Sequence, residues 1–95
     1  MTYRLDIYIG SDNRSRRIHA GYVSKIRQWA ADTFPDGYTL LRGQGYYRGV
    51  SEDSILLHAF LNDDAPIRGR LEKLRRQLKQ ESILVVRSAI DIEVV

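Results

Sequence analysis

The chain has 95 residues, of which 43% are hydrophobic and 28% are charged. That length fits one packed domain over residues 1–95, because domains usually take about 100 to 200 residues. The chain contains no cysteine, which excludes disulfide frameworks, thiol nucleophiles and cysteine-bound metal clusters. It shows no signal-peptide pattern and no apolar run of about 18 residues, so we expect a cytoplasmic protein without a membrane anchor.

The charge balance is slightly basic. Lys and Arg number 15 against 12 Asp and Glu, a formal net charge of +3. A surplus this small does not require a polyanionic partner, so nucleic acid is not the expected ligand. The cations concentrate in two stretches, Arg14 to Arg17 and Arg68 to Lys79. Such clusters are usually solvated faces. The alternative is a basic module that binds RNA or protein, and it would show a steep salt dependence of binding.

The first third of the chain predicts one strand and one helix. Apolar and polar residues alternate over 2–10, which predicts a half-buried strand. Apolar residues then recur at spacings of three and four, which predicts a helix over 18–33. The Phe-Pro-Asp-Gly sequence at 34–37 ends that helix, because the residue before proline avoids helical backbone and Asp-Gly favours a turn.

The middle of the chain predicts two strands with an irregular segment between them. The second strand is predicted to begin at Tyr38. The glycine-rich residues 43–49 are predicted to bend or loop, because glycine weakens a plain strand. The mostly apolar run over 54–61 predicts a third strand in a central position.

The last third predicts a second helix and one or two further strands. The Asn-Asp-Asp-Ala-Pro sequence at 62–66 has the form of a helix start, with Asp63 or Asp64 as cap. An apolar stripe at helical spacing follows: Ile67, Leu71, Leu74 and Leu78. Residues 82–87 predict a fourth strand, and the alternation over 90–95 predicts its extension or a fifth strand.

The element order is therefore β-α-β-β-α-β with an additional C-terminal strand. This order predicts an α+β fold, a ferredoxin-like sandwich in which both helices cover one face of an antiparallel four-stranded sheet. The other face of that sheet must then meet solvent, a ligand or another subunit.

No residue pattern indicates a catalytic centre or a metal site. The two imidazoles, His19 and His58, have no second ligand at metal-binding spacing. Asp63 and Asp64 could act as acid and base, but carboxylates before a proline-initiated helix more often cap the helix. We therefore predict no catalytic residue, no metal and no cofactor.

The most unusual stretch is 41–49, Leu-Arg-Gly-Gln-Gly-Tyr-Tyr-Arg-Gly. Its glycines permit close backbone approach, its arginines can pair with an anion, and its tyrosines can stack on a planar ring. This combination predicts a site for a small anion or a nucleotide. The alternative is a twisted β-ribbon whose glycines accommodate bulges and whose arginines are exposed. An RNA-recognition module is the weaker prediction, because its aromatic motif would lie inside the third strand.

The same region resembles a family of small bacterial proteins known only as a domain of unknown function. The resemblance is carried by the Phe-Pro-Asp-Gly turn at 34–37, the threonine-containing strand after it, and Gly-Gln-Gly with an aromatic residue and arginine at 43–48. Residues 3–10 are similar to the family's opening strand and residues 80–88 to its ending. The resemblance spans nearly the whole chain, and the family brings no established activity.

In layout the chain also resembles the PII-like signalling superfamily, ferredoxin-like domains that usually form trimers and bind nucleotides or small anions between subunits. Gly-Gln-Gly at 43–45 matches a Gly-x-Gly at the base of their mobile loop, which corresponds to 43–53 here. Their glycine- and lysine-rich phosphate loop has no counterpart, since residues 78–82 supply one lysine and no glycine. The resemblance implies a homo-oligomer, with a trimer favoured, that binds a small anion or nucleotide.

Together these observations predict a non-enzymatic regulatory or ligand-sensing protein. Loop 46–53 is expected to change order on ligand binding and to present Tyr46 and Tyr47 to a protein partner. The predicted ligand-binding residues are Arg42, Gly43, Gln44, Gly45, Arg48 and Arg87. One alternative is a small ferredoxin-like dimeric enzyme with His58 or His19 as general base in a cleft between sheet and helices. The other is the basic RNA- or protein-interaction module.

Overall fold

Four strands and two helices make up the part of the chain that the computed structural model describes, residues 2–12, 15–62 and 66–95. Asp63 and Asp64, predicted to cap the second helix, lie outside the described residues. The elements in chain order are β1 Thr2–Gly10, α1 Ala20–Thr33, β2 Thr39–Tyr47, β3 Val50–Asn62, α2 Arg68–Gln77 and β4 Leu84–Ile90.

The strands form one antiparallel sheet in the order β2-β3-β1-β4. β1 and β3 are the central strands, which is why their inward residues are the most apolar in the chain. β2 and β4 are the two edges. The prediction of an α+β fold with a four-stranded antiparallel sheet and two helices is confirmed at this level.

The core lies between one face of the sheet and both helices. Leu5 of β1, Leu57 of β3, Ile26 of α1 and Leu74 of α2 are all 0% exposed. Side chains alternate along a strand, so every second residue of the central strands enters this core. Burial of this apolar surface stabilises the fold by about 25 cal/mol per Å².

The helices pack by the stripes that the sequence spacing predicts. The stripe of α2 is buried or packs against the core throughout: Ile67, Leu71, Leu74 and Leu78. The Trp29 indole N–H donates to the Arg70 carbonyl at 2.9 Å, which joins α1 to α2. Helix α1 begins two residues later than predicted, and Ile18 is buried just before it. Neither helix is long and apolar enough to cross a membrane, within the described residues.

The second face of the sheet, here termed the open face, has neither helix packed on it. A row of apolar side chains crosses it, because Leu41, Leu56, Tyr8 and Leu84 are successive cross-strand partners. Leu41, Tyr8 and Leu84 are 54%, 47% and 63% exposed. A contiguous apolar row of this kind is typical of an interaction surface.

Two strand predictions are wrong. The residues predicted to bend at 43–47 belong to β2, where Gly43 pairs with Ser54 and Gly45 with Glu52. The backbone ladder needs no side chain, so pairing with β3 overrides the weak strand preference of glycine. The additional strand is absent, because β4 ends at Ile90 and residues 91–95 form no strand.

Candidate functional site

The β2–β3 hairpin closes in a two-residue turn. Tyr47 pairs with Val50, so Arg48 and Gly49 form the turn. Both have positive φ, 51° and 79°, which is the backbone of a type I′ turn. The prediction of a loop over 46–53 is therefore wrong, since these residues are paired strands on either side of a tight turn.

The predicted site residues on β2 do not converge on one side of the strand. Gly43 and Gly45 lie on the open face, and alternation puts Arg42 and Gln44 on the helix side. The Arg42 guanidinium donates to the Ile18 carbonyl at 3.1 Å. That hydrogen bond joins β2 to the segment before α1, so Arg42 has a structural contact.

The tyrosines at the end of the hairpin are exposed. Tyr46 and Tyr47 are 73% and 66% exposed, respectively. The Arg48 guanidinium lies 5.2 Å from the centroid of the Tyr47 ring, a cation–π contact. The Tyr46 hydroxyl donates to the Gln44 side-chain oxygen at 3.3 Å. The protein partner predicted for these tyrosines stays a prediction.

Arg87 lies on the opposite edge of the sheet from β2. Three strand spacings, about 14 Å, separate the two edges. The Arg87 guanidinium lies 5.7 Å from the centroid of the Tyr3 ring. The structure therefore does not bring Arg87 together with the arginines of the hairpin.

A pocket of about 250 Å³, here termed the Glu52 pocket, lies beside the end of the hairpin. It is lined by Arg16, Tyr47, Arg48, Val50 and Glu52. The lining thus includes one acidic residue, two arginines and one exposed aromatic residue. Such a set can bind a ligand that combines a planar ring with charged groups.

The pocket forms because the hairpin continues beyond the end of β1. Gly10, the last residue of β1, pairs with Ser54, whereas β3 begins four residues earlier at Val50. The loop after β1 crosses beside this free part of β3. The Asp53 backbone N–H donates to the Arg16 carbonyl at 3.4 Å, which holds the loop against the hairpin.

A hydrogen-bond network that includes buried Ser11 fixes the position of the Glu52 carboxylate. Ser11, 1% exposed, donates its hydroxyl to Glu52 Oε2 at 3.2 Å. The Gln80 side-chain amide donates to the Ser11 carbonyl at 2.7 Å and to the Tyr22 hydroxyl at 3.0 Å. The Tyr22 hydroxyl donates to the Gly10 carbonyl. Burial raises the pKa of Tyr22 to about 12, so this hydroxyl keeps its proton at neutral pH.

The sequence prediction missed Glu52 because it placed this residue in a loop. The signal that could have found it is the Arg48-Gly49 pair between two strand-like runs, the pattern of a two-residue hairpin turn. Counting outward from that turn pairs Glu52 with Gly45. The contact with Ser11 carries no sequence signal, because 41 positions separate the two residues.

A second polar cluster lies on the open face. His58 Nδ1 is 2.6 Å from Asp6 Oδ1, and Arg4 Nε is 3.3 Å from Asp6 Oδ2. The alternative of an enzyme with His58 in a cleft between sheet and helices is therefore wrong about this residue. His58 lies on the open face, on the side of the sheet opposite the helices. His19 is exposed, and its Nε2 lies 2.8 Å from the Ser15 hydroxyl.

A larger groove, about 760 Å³, runs between the two helices. Among its lining residues are three exposed cations: Lys25, Arg70 and Lys73. Exposed cations on helices are usually solvated. The Glu52 pocket, which has a buried network behind its carboxylate, is therefore the stronger candidate site. Within the described residues, no group of three or more His, Asp or Glu side chains could hold a metal ion.

The comparisons with known proteins bear on the fold. No family model matches the chain, and no curated protein matches its sequence. A solved phage SAM lyase in the apo state matches with a TM-score of 0.64 and 18% identity, over 90% of this chain and 78% of that chain. A phage SAM lyase in complex with S-methyl-5′-thioadenosine matches with a TM-score of 0.60 and 16% identity, over 92% and 80%.

At these identities the likeness concerns the fold alone, and it overturns the predicted function. The prediction of a non-enzymatic, PII-like signalling protein is wrong, because these solved structures of the same fold are enzymes. One of them holds a nucleoside thioether. The resemblance to the family with the Phe-Pro-Asp-Gly turn stays a prediction.

Proposed function

We propose that this protein is an enzyme that binds an adenosine sulfonium or thioether in the Glu52 pocket. The fold supports this proposal, since phage SAM lyases share it. The observation that carries the proposal is the Glu52 carboxylate, held by buried Ser11 and placed in one pocket with the Tyr47 ring.

Each part of S-adenosylmethionine (SAM) has a chemical counterpart in the pocket. The Tyr47 ring, 66% exposed, can stack on adenine. The Glu52 carboxylate attracts the positively charged sulfur. The guanidinium groups of Arg16 and Arg48 can pair with the carboxylate of the aminoacyl arm. The thioether product lacks the sulfur charge, so it retains only the stacking interaction.

The reaction we propose is a lyase reaction on the sulfonium. The bond between sulfur and the aminoacyl arm breaks, and its electron pair goes to sulfur, which becomes a neutral thioether. The carbon of the arm that was bonded to sulfur is Cγ, and its neighbour Cβ loses a proton, so a double bond forms between Cβ and Cγ. Glu52 is the carboxylate of the pocket and accepts that proton as general base.

The fold assignment is part of this proposal. A split β-α-β arrangement gives the strand order β2-β3-β1-β4 with both helices on one face. We therefore propose that the fold is ferredoxin-like.

Isothermal titration calorimetry with SAM and with S-methyl-5′-thioadenosine tests the proposal. It compares two pocket variants, Glu52→Gln and Tyr47→Ala, each with a matched control. We expect Glu52→Gln to weaken SAM binding at least tenfold and S-methyl-5′-thioadenosine binding less than threefold, because only SAM carries the sulfur charge. Tyr47→Ala should weaken both ligands, since it removes the stacking ring. Chromatography of SAM incubated with the wild-type protein should show release of the thioether, and Glu52→Gln should abolish that release.

The controls are two exposed residues outside the pocket. Glu81→Gln removes the same charge as Glu52→Gln, and Tyr46→Ala removes the neighbouring tyrosine, which is 73% exposed. Neither control should change affinity or turnover. The proposal is overturned if neither ligand binds at about 1 mM, the weak end of specific recognition, or if Glu81→Gln and Glu52→Gln have equal effects.

A further inference from the structure

The segment after β4 has the sequence of a strand, but it has no strand partner among the residues that the structure describes. Residues 91–95, Asp-Ile-Glu-Val-Val, alternate acidic and apolar side chains up to Val94, yet they form no strand. Ile92 and Val94 are 48% and 93% exposed. A short alternating segment with exposed apolar residues is typical of a strand that pairs with another edge.

This segment cannot pair with β4 of its own chain. It continues β4 directly, and a two-residue hairpin turn of type I′ or II′ requires a residue with positive φ. None of residues 88–95 has positive φ. The other edge of the sheet, β2, is about 14 Å away across the sheet. A partner edge must therefore come from another molecule.

The outer edge of β4 is such a partner edge. β4 pairs with β1 on one side, and it is the last strand of the sheet. Its sequence, residues 84–90, contains no Pro, Gly or Lys, the residues that commonly protect an edge from pairing. Leu84 and Val86 are 63% and 37% exposed beside this edge.

The two faces of β4 differ in chemistry. Leu84 and Val86 lie on the open face. Val85 and Arg87 lie on the helix side, next to a groove of about 510 Å³ between α2 and β4. Arginines dominate the charges that line this groove: Arg68, Arg75 and Arg87, against Glu72 and Glu81. Arg68 is paired with Glu72 at 3.4 Å, and the three arginines against two glutamates give the groove a formal net charge of +1.

Residues 91–95 can pair with this edge in one of two orientations of their side chains, and one of these matches both faces of β4. If Ile92 and Val94 lie on the open face of the sheet, alternation puts Asp91 and Glu93 on the helix side. Apolar residues then neighbour Leu84 and Val86, and carboxylates neighbour the arginines of the groove. Cross-strand pairs of both kinds stabilise a sheet. The segment therefore matches this edge in backbone, hydrophobicity and charge.

We propose that residues 91–95 of one copy of this protein add as a strand to the outer edge of β4 in a second copy. The occupant is a second copy because the same chain carries both complementary parts, the acidic segment and the arginine-lined edge. The exchange is reciprocal in a two-fold dimer or head-to-tail in a ring. This proposal does not depend on the Glu52 pocket.

A charge-swap experiment by analytical ultracentrifugation tests it. The wild-type protein should show concentration-dependent association up to about 100 µM, because a small interface binds weakly. Arg87→Glu alone, and Asp91→Lys with Glu93→Lys alone, should each weaken association at least tenfold. An equimolar mixture of these two variants should associate again, since each lysine-bearing segment then meets a glutamate-bearing edge and each acidic segment meets Arg87.

Arg27→Glu, on the exposed face of α1, is the control with the same charge change, and it should associate like the wild type. Circular dichroism should show that all variants keep their fold. A wild-type protein that is monomeric at about 100 µM would overturn the proposal. The proposal is also overturned if both charge variants associate as strongly as the wild type, or if the mixture of the two variants does not associate.

Discussion

Ser11 is the residue on which the position of the Glu52 carboxylate depends. It is 1% exposed, yet its hydroxyl and its carbonyl both have partners, Glu52 and Gln80. An unpartnered buried polar atom costs about 1 to 3 kcal/mol. Within the described residues no buried side-chain nitrogen or oxygen lacks a partner. The network can therefore hold a polar site at the end of β1 without weakening the fold.

Tyr22 makes the stability of this network dependent on pH. Its pKa is raised from 10.0 to about 12. The stabilisation is complete below pH about 10 and is lost as pH rises to about 12, because the unfolded chain then releases a proton that the folded chain retains. We predict that the free energy of unfolding falls between pH about 10 and about 12, and that Tyr22→Phe reduces this fall.

Urea unfolding of the wild type, Tyr22→Phe and the exposed control Tyr46→Phe at several pH values checks this prediction. At neutral pH, Tyr22→Phe should also destabilise the protein by about 1 to 2 kcal/mol, because the Gly10 carbonyl loses its hydroxyl donor and the Gln80 amide loses one of its two acceptors. If the free energy of unfolding falls equally steeply with alkaline pH in the wild type and in Tyr22→Phe, the predicted role of Tyr22 is wrong.

Among the elements, the β2–β3 hairpin departs most from what its sequence predicts. The glycines at 43–45 have weak strand preference, but the ladder with β3 fixes them in extended backbone. The apolar periodicities of β1, α1 and α2 did predict their elements, because burial and periodicity agree there. The hairpin could be predicted only from its two-residue turn. The site at its end could not be predicted, because it depends on contacts between residues distant in sequence, such as Ser11 with Glu52.

The turn itself gives a prediction for glycine substitutions. Gly49 has φ 79°, which an alanine adopts at a cost, so Gly49→Ala should destabilise the protein by about 1 kcal/mol. Gly21 lies in α1, and nothing lies within 4 Å of a Cβ placed there. Gly21→Ala should therefore stabilise the protein by about 0.5 to 1 kcal/mol. Thermal or urea unfolding measures both, and equal signs for the two variants would contradict the turn geometry.

For the whole molecule, the sheet separates three surfaces with different chemistry. The helix side holds the core, the open face holds the apolar row with the Asp6–His58 pair, and the end of the hairpin holds the Glu52 pocket. Periodicity predicted the α+β layers, but it could not predict which surface carries the site. Phage SAM lyases share these layers, and the Glu52 pocket is where we infer that ligand chemistry takes place.

The most direct test of ligand binding in the Glu52 pocket is a titration of ¹⁵N-labelled protein with S-methyl-5′-thioadenosine, followed by amide chemical shifts. We expect shifts that saturate and that concentrate at Arg16, Tyr47, Val50 and Glu52, with smaller changes at Ser11 through its hydrogen bond. Shifts that centre on the Asp6–His58 pair of the open face or on the groove between the helices would show that the ligand binds elsewhere. Unchanged spectra at millimolar ligand would show that this pocket does not bind it.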